Sequence, residues 1–217
     1  MSKDKTSQII AVIALVIGIV SLSVGFAAFS NVLQIEPNAT VTPSSDTLNV
    51  DFSSSDSEVL AQEITPVSTP TTIVATNAKI DNTNNPTISN LNATFTAPGQ
   101  KTVYSFYAYN AGELDAYLKN IVYTNVSGNN NTKVCTPKEG TTEALVNEAC
   151  NGIAVKVSVG NEAQTSSGIA NISNHLLAKG KGEKVTVTLE YEADAARTDG
   201  DFTVSFGNIT LNYSSVD

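Results

Sequence analysis

Catalysis needs a side chain that moves protons or attacks a substrate, and this 217-residue chain offers few. Its lone histidine, His175, stands in Ile172-Ser173-Asn174-His175-Leu176-Leu177 with no acidic residue beside it. A general base is normally oriented by a partner, so this pattern reads as a solvated or core-edge histidine. There is no H-E-x-x-H, no G-x-S-x-G elbow and no phosphate-cradling glycine loop. The carboxylate pairs Asp56/Glu58, Asp194/Asp199 and Asp199/Asp201 could hold a hard cation, but no segment has the spacing of a calcium loop, and solvated loop charge is the simpler reading. Cys135, Cys150 and His175 do not complete a four-ligand zinc site. The expectation is a non-enzyme without cofactor or metal. Tyr104, Phe106, Tyr107 and Tyr109 could form a sugar platform, yet with no tryptophan they read as a central strand buried on both faces.

The elements that would carry these residues are strands. Leu48 to Phe52 alternates as a short half-buried strand, Ser53 to Ser57 reads as a turn, and Thr72 to Ala75 alternates again. The Asn-rich tract Asp81 to Pro86 separates that region from Ile88 onward, where period two dominates. Val103 to Tyr109, Leu118 to Tyr123, Ile153 to Val159, Val185 to Tyr191 and Phe202 to Phe206 follow. Ile209 to Tyr213 comes after a one-residue slip at Gly207-Asn208, which reads as a β-bulge. Pro98-Gly99, Asn110-Ala111-Gly112, Ser127-Gly128-Asn129, Gly160-Asn161, Gly180-Lys181-Gly182 and Asp199-Gly200-Asp201 mark turns. Short strands at this spacing predict an all-β sandwich or jelly-roll. Helix is expected over Thr142 to Cys150, with single turns at Glu192 to Arg197 and Ile169 to Leu177.

Ahead of these strands, Thr6 to Ile35 carries no charged side chain. An apolar run longer than about 20 residues can cross a bilayer, and Lys3 and Lys5 leave a weakly basic flank that would send the rest outward. The small pair Ala27-Ala28 looks like a signal-peptidase site, while the length from Ile9 to Phe29 suits a retained anchor. Both readings stand, and either makes the membrane a partner during export or as an anchor. The division expected is 1–27 as signal peptide or membrane-spanning segment, 28–77 as an N-terminal arm with Ser/Thr/Pro-rich first strands, and 78–217 as the β-sandwich core.

With 21 acidic against 12 basic residues and a net charge of −9, nucleic-acid binding is not expected. Cys135 and Cys150 are the only cysteines, so in an exported chain they suggest one disulfide, with two free thiols as the alternative. N-x-Ser/Thr sequons start at Asn38, Asn92, Asn125, Asn130, Asn171, Asn208 and Asn212 and mark exposed polar sites.

Ala27-Ala28-Phe29-Ser30-Asn31 after the apolar leader resembles the processing junction and mature N-terminus of the TasA/camelysin family of secreted biofilm-matrix fibre proteins. Pro98-Gly99-Gln100-Lys101, Phe106 and Asn110-Ala111-Gly112-Glu113-Leu114-Asp115-Ala116-Tyr117-Leu118-Lys119 resemble its Pro-Gly turn, core strand and Asn-x-Gly turn, and Asn38 to Pro43 with Asn49 to Phe52 is similar to exported relatives. The resemblance implies a jelly-roll subunit, cut near Ala27, that polymerises with copies of itself by donating its N-terminal strand. Phe29, Asn31, Leu33 and Ile35 share one face of an extended arm, apolar except at Asn31. The metallopeptidase activity ascribed to camelysins has no zinc-ligand pattern here. The Ser/Thr/Pro stretch and the Cys135 to Cys150 excursion depart from the family pattern. Competing readings are a membrane-anchored cell-surface adhesion or binding domain and a pilin with a retained hydrophobic helix. The localisation expected is extracellular or cell-surface.

Overall fold

Strands with alternating apolar and polar side chains hide one face each, and here those faces meet between two layers of antiparallel strands. A computed structural model describes residues 47–83, 85–165, 168–169 and 175–215. Ala27, Ala28, Phe29, Asn31, Leu33 and Ile35 lie outside the described residues.

With strands numbered in chain order, the first layer holds β1 (Val50–Ser53), β3 (Val67–Thr69), β8 (Lys101–Asn110), β11 (Ile153–Val159), β12 (Glu162–Thr165), β13 (Gly168–Ile169) and β15 (Gly182–Tyr191). Its order is β1-β8-β15-β11-β12-β13. Strand β15 covers one edge of β8, so β1 and β3 share the other, β1 opposite Tyr107 to Asn110 and β3 opposite Lys101 to Val103.

The second layer comprises two sheets. One runs β14 (His175–Leu177), β9 (Ala116–Tyr123), β17 (Ile209–Ser214), β6 (Thr87–Ser89), β5 (Ala78–Asp81), β2 (Glu63–Ile64). The other runs β10 (Lys133–Pro137), β16 (Phe202–Phe206), β7 (Asn92–Phe95), β4 (Val74–Ala75). Chain neighbours occupy matching places in both, so each long strand is broken at a bend. Asn90, with φ of 59°, makes that bend between β6 and β7. The slip at Gly207-Asn208 is therefore not a bulge inside one ladder: it passes the chain from one sheet to the other, and the register irregularity falls at Asn212/Tyr213.

Aromatic side chains tie the layers. The Tyr191 ring on β15 lies 6.1 Å from Phe95 and 5.3 Å from Phe202, both edge-on, and all three are fully buried. Tyr104 on β8 donates its hydroxyl across the core to the Thr76 carbonyl at 3.0 Å. Burial pushes its phenol up to about 12. The turn before β9 is set by the buried Asn110, which accepts from the Gly112 N–H at 3.0 Å and donates to the carbonyls of Leu114 and Leu177. A Cβ at Gly112 would sit 2.4 Å from the Thr47 carbonyl oxygen, so glycine lets the chain pass there on its way into β1.

Several expectations need correction. Strand β1 is buried at all four residues, not half-buried, because the turn after it folds back across it. On β8, Tyr104 and Phe106 point into the core whereas Tyr107 and Tyr109 are only partly covered, so the strand is not buried on both faces. The helix α1 spans Glu143–Asn151, close to its expected limits. Glu192 to Arg197 forms a hydrogen-bonded turn without a helix, closed by the Ala195 N–H on the Glu192 carbonyl. Ile169 and His175 to Leu177 belong to strands, since β14 pairs with β9.

Phe95→Ala should lose about 3–5 kcal/mol of unfolding free energy in urea. Tyr107→Ala should lose about 1 kcal/mol or less. Equal losses would contradict this layering.

Candidate subunit interface

A sheet edge exposes a row of unpaired N–H and C=O groups, so the state of each edge decides where another chain can add. The edge formed by β1 is closed by a side chain and by the returning chain, since the Ala61 N–H donates to the Phe52 carbonyl at 3.1 Å and Ser53 bridges Leu60. Asn82 accepts from the Phe52 N–H at 2.8 Å and donates to the Phe52 carbonyl at 3.1 Å, occupying both groups much as a strand would. Ser53 holds the following turn against the strand, its hydroxyl accepting from the Val59 N–H at 3.2 Å. Under that turn Asp51 accepts from the Asn49 amide at 3.0 Å, and burial still raises its carboxyl above the ordinary aspartate value, with Glu58 adding to the rise.

The adjoining edge is built differently. Among the described residues, strand β3 pairs only with β8, and β4 ends its sheet, pairing only with β7. A groove of about 340 Å³ runs between them, lined by Pro66, Val67, Ser68, Thr71, Ile73 and Ala75 among others and by no charged side chain. Ile73 forms its buried part, while Val67 and Val74 are 70% and 72% exposed. Exposed valines beside free strand edges are costly to leave in water and favour capture of another chain. Further along, Val59 and Leu60 are also exposed, and Leu60 borders a depression of about 520 Å³ that carries Glu63, Lys79 and Asp81.

Away from this seam, α1 packs Val146 and Ala149 inward beside β10 and β11. Cys135 on β10 is joined to Cys150 on α1 with Cα atoms 6.0 Å apart, so the free-thiol alternative falls. Lys133 donates to the Ile153 carbonyl, and burial holds its ammonium below the usual lysine range.

His175 is not without an acidic partner: β14 brings its Nε2 to 2.7 Å from Glu183 Oε2 on β15, a contact invisible in sequence. Asp199 accepts from the Thr142 N–H at 2.9 Å and from its hydroxyl, and these bonds lower its carboxyl pKa. Among the described residues no group of three or more His, Cys, Asp and Glu side chains is placed to hold a metal. Among them, too, no helix is long and apolar enough to cross a membrane. The signal that could have marked the seam was Val67 between Pro66 and Ser68, followed by the short apolar run Ile73-Val74-Ala75. Comparison with protein-family models, with curated proteins and with solved structures gives no significant match.

Asn82→Ala strands the Phe52 N–H, while the Phe52 carbonyl keeps its bond from the Ala61 N–H, and should cost about 1–3 kcal/mol in urea unfolding. For Asp51 the raised folded-state pKa means that its carboxylate disfavours the fold at neutral pH, a penalty that disappears as acid protonates it. Asp51→Asn should therefore raise the unfolding midpoint at pH 7, with the advantage shrinking as the pH falls through the raised pKa and gone below the ordinary aspartate range. A pH-independent difference would contradict it.

Proposed function

We propose that this chain is a structural subunit of an extracellular fibre or biofilm matrix. It is exported, freed at Ala27-Ala28, and polymerises by laying residues 28–35 of one copy along the β3/β4 seam of the next. The observation that carries this reading is the uncharged groove beside β3 and β4, with Val67 exposed in its lining and Val74 exposed next to it, the outer sides of both strands pairing with nothing among the described residues. The arm matches it chemically. Phe29, Leu33 and Ile35 offer one apolar face, no residue from Thr6 to Ile35 is charged, and so no ion is desolvated on docking. Eight extended residues span about 26 Å, enough to run past both short strands.

The same reading makes the sandwich a jelly-roll. Its support is the path of the chain, which crosses between layers from β1 to β2, β2 to β3, β3 to β4, β7 to β8, β8 to β9, β10 to β11, β13 to β14, β14 to β15 and β15 to β16. In this reading the protein is no enzyme, its partners are copies of itself, and it works at the cell surface or beyond.

Electron microscopy of the secreted protein tests this directly. Deleting residues 28–35, or introducing Val67→Lys or Val74→Lys, should abolish filaments, while the lysine variants keep their thermal unfolding midpoint because both valines are exposed. Filaments unaffected by the deletion would overturn strand donation, and uncut chain retained in the membrane fraction would favour the anchored reading.

A further inference from the structure

Between β9 and β10 the chain runs Thr124-Asn125-Val126-Ser127-Gly128-Asn129-Asn130-Asn131-Thr132, without a charged residue and with two sequons, Asn125-Val126-Ser127 and Asn130-Asn131-Thr132. Its ends are pinned. The Thr124 N–H donates to the Asn208 carbonyl at 2.9 Å, and the Gly207 N–H donates to the Thr132 carbonyl at 2.9 Å. A Cβ at Gly207 would lie 1.9 Å from the Thr124 carbonyl oxygen, so glycine lets the loop root close against the chain between β16 and β17. Inside the loop the Val126 N–H bonds the Asn131 carbonyl at 2.8 Å, and Gly128 turns with φ of 76°. Asn125, Ser127, Asn130 and Thr132 are all exposed.

The other described sequons are built into strands. Asn92 lies in β7, and its amide donates to Asn90 Oδ1 at 3.0 Å and to Thr76 Oγ1 at 3.4 Å. Asn212 lies in β17 and donates to Asn120 Oδ1 at 2.7 Å. Asn208 is exposed, but its hydroxyl residue Thr210 is held in β17, 2.8 Å from the Thr87 hydroxyl. Among the described residues no hydrogen bond occupies the side-chain amides of Asn125 or Asn130.

We propose that Asn125 and Asn130 are N-glycan attachment sites, and that Asn92, Asn208 and Asn212 stay bare. An N-glycosyltransferase must bind the asparagine and the hydroxyl two residues on as one accessible stretch, and the attached sugar must then project into solvent. Both loop sequons meet that requirement in the folded chain. The co-reactant is an oligosaccharide joined through phosphate to a lipid carrier. The asparagine Nδ2 forms a bond to its anomeric carbon, the sugar–phosphate bond breaks, the lipid phosphate leaves with the bonding pair, and the amide proton passes to a carboxylate of the transferase. No electron carrier takes part. This inference rests on the reading that the chain is exported, not on how it assembles.

Trypsin cutting after Lys119 and Lys133 releases residues 120–133 with both asparagines in one peptide, separate from Asn92 and from Asn208 and Asn212. Mass spectrometry of the protein isolated from cells that make it naturally should find that peptide heavier by two oligosaccharides. Asn125→Gln and Asn130→Gln, made in the same cells, should each remove one of them, with unfolding midpoints unchanged. Peptides holding Asn92, Asn208 and Asn212 should have their plain masses. An unmodified asparagine at either loop position, or sugar on any of the other three, overturns the proposal even where filaments form normally.

Discussion

A β-sandwich hides its faces but not its edges, and how each edge is closed governs what the molecule can do. At β1 the closure is internal: the Asn82 amide occupies the Phe52 N–H and carbonyl. At β3 and β4 no such plug exists among the described residues, and Val67, Ile73 and Val74 line or flank the gap. The contrast lies within one side of the sandwich and within about thirty residues of chain. In the proposed assembly, an edge that is blocked beside one that is open would direct an incoming strand to a single place, which is what ordered polymerisation requires.

The rest of the fold keeps that side rigid. Strand β3 is fastened to the central strand β8 by its ladder and by the Ser68 to Thr102 hydroxyl contact at 2.8 Å, with Thr102 fully buried. The segment joining β4 and β5 is held from across the core by the Tyr104 hydroxyl on Thr76. Tyr191, Phe95 and Phe202 bind the two layers behind it. The disulfide between β10 and α1 closes a 15-residue separation, and in the chain-entropy account it stabilises by about 3 kcal/mol. In the proposed fibre such a clip would resist tension, because a subunit that unfolds breaks the chain of contacts.

Much of this was legible in the residues because alternation is a local signal. Val185 to Tyr191 and Phe202 to Phe206 are strands for the reason their sequence suggests: every second side chain is apolar and buried. The helix that carries Cys150 was legible from its composition. Contacts between distant strands were not. His175 looked solitary because Glu183 belongs to another strand, reached only after β14 pairs with β9 and the layers face each other. Strand β1 looked half-buried because nothing in Leu48 to Phe52 reveals that Ser53 draws the next turn back over it. The Ser/Thr/Pro-rich region shows little alternation beyond Thr72 to Ala75, yet its short strands β2, β3 and β4 each pair with strands of the sandwich, where ladder partners matter more than propensity.

The central claim is that an uncharged arm from one copy completes the open edge of another. A density map of the assembled material at side-chain resolution tests it most directly. The account predicts residues 28–35 extended between β3 and β4 of a neighbouring subunit, with Phe29, Leu33 and Ile35 turned toward Ile73 and the two valines. Finding that arm coiled as a helix, or folded onto its own subunit with the neighbour's seam empty, would contradict it.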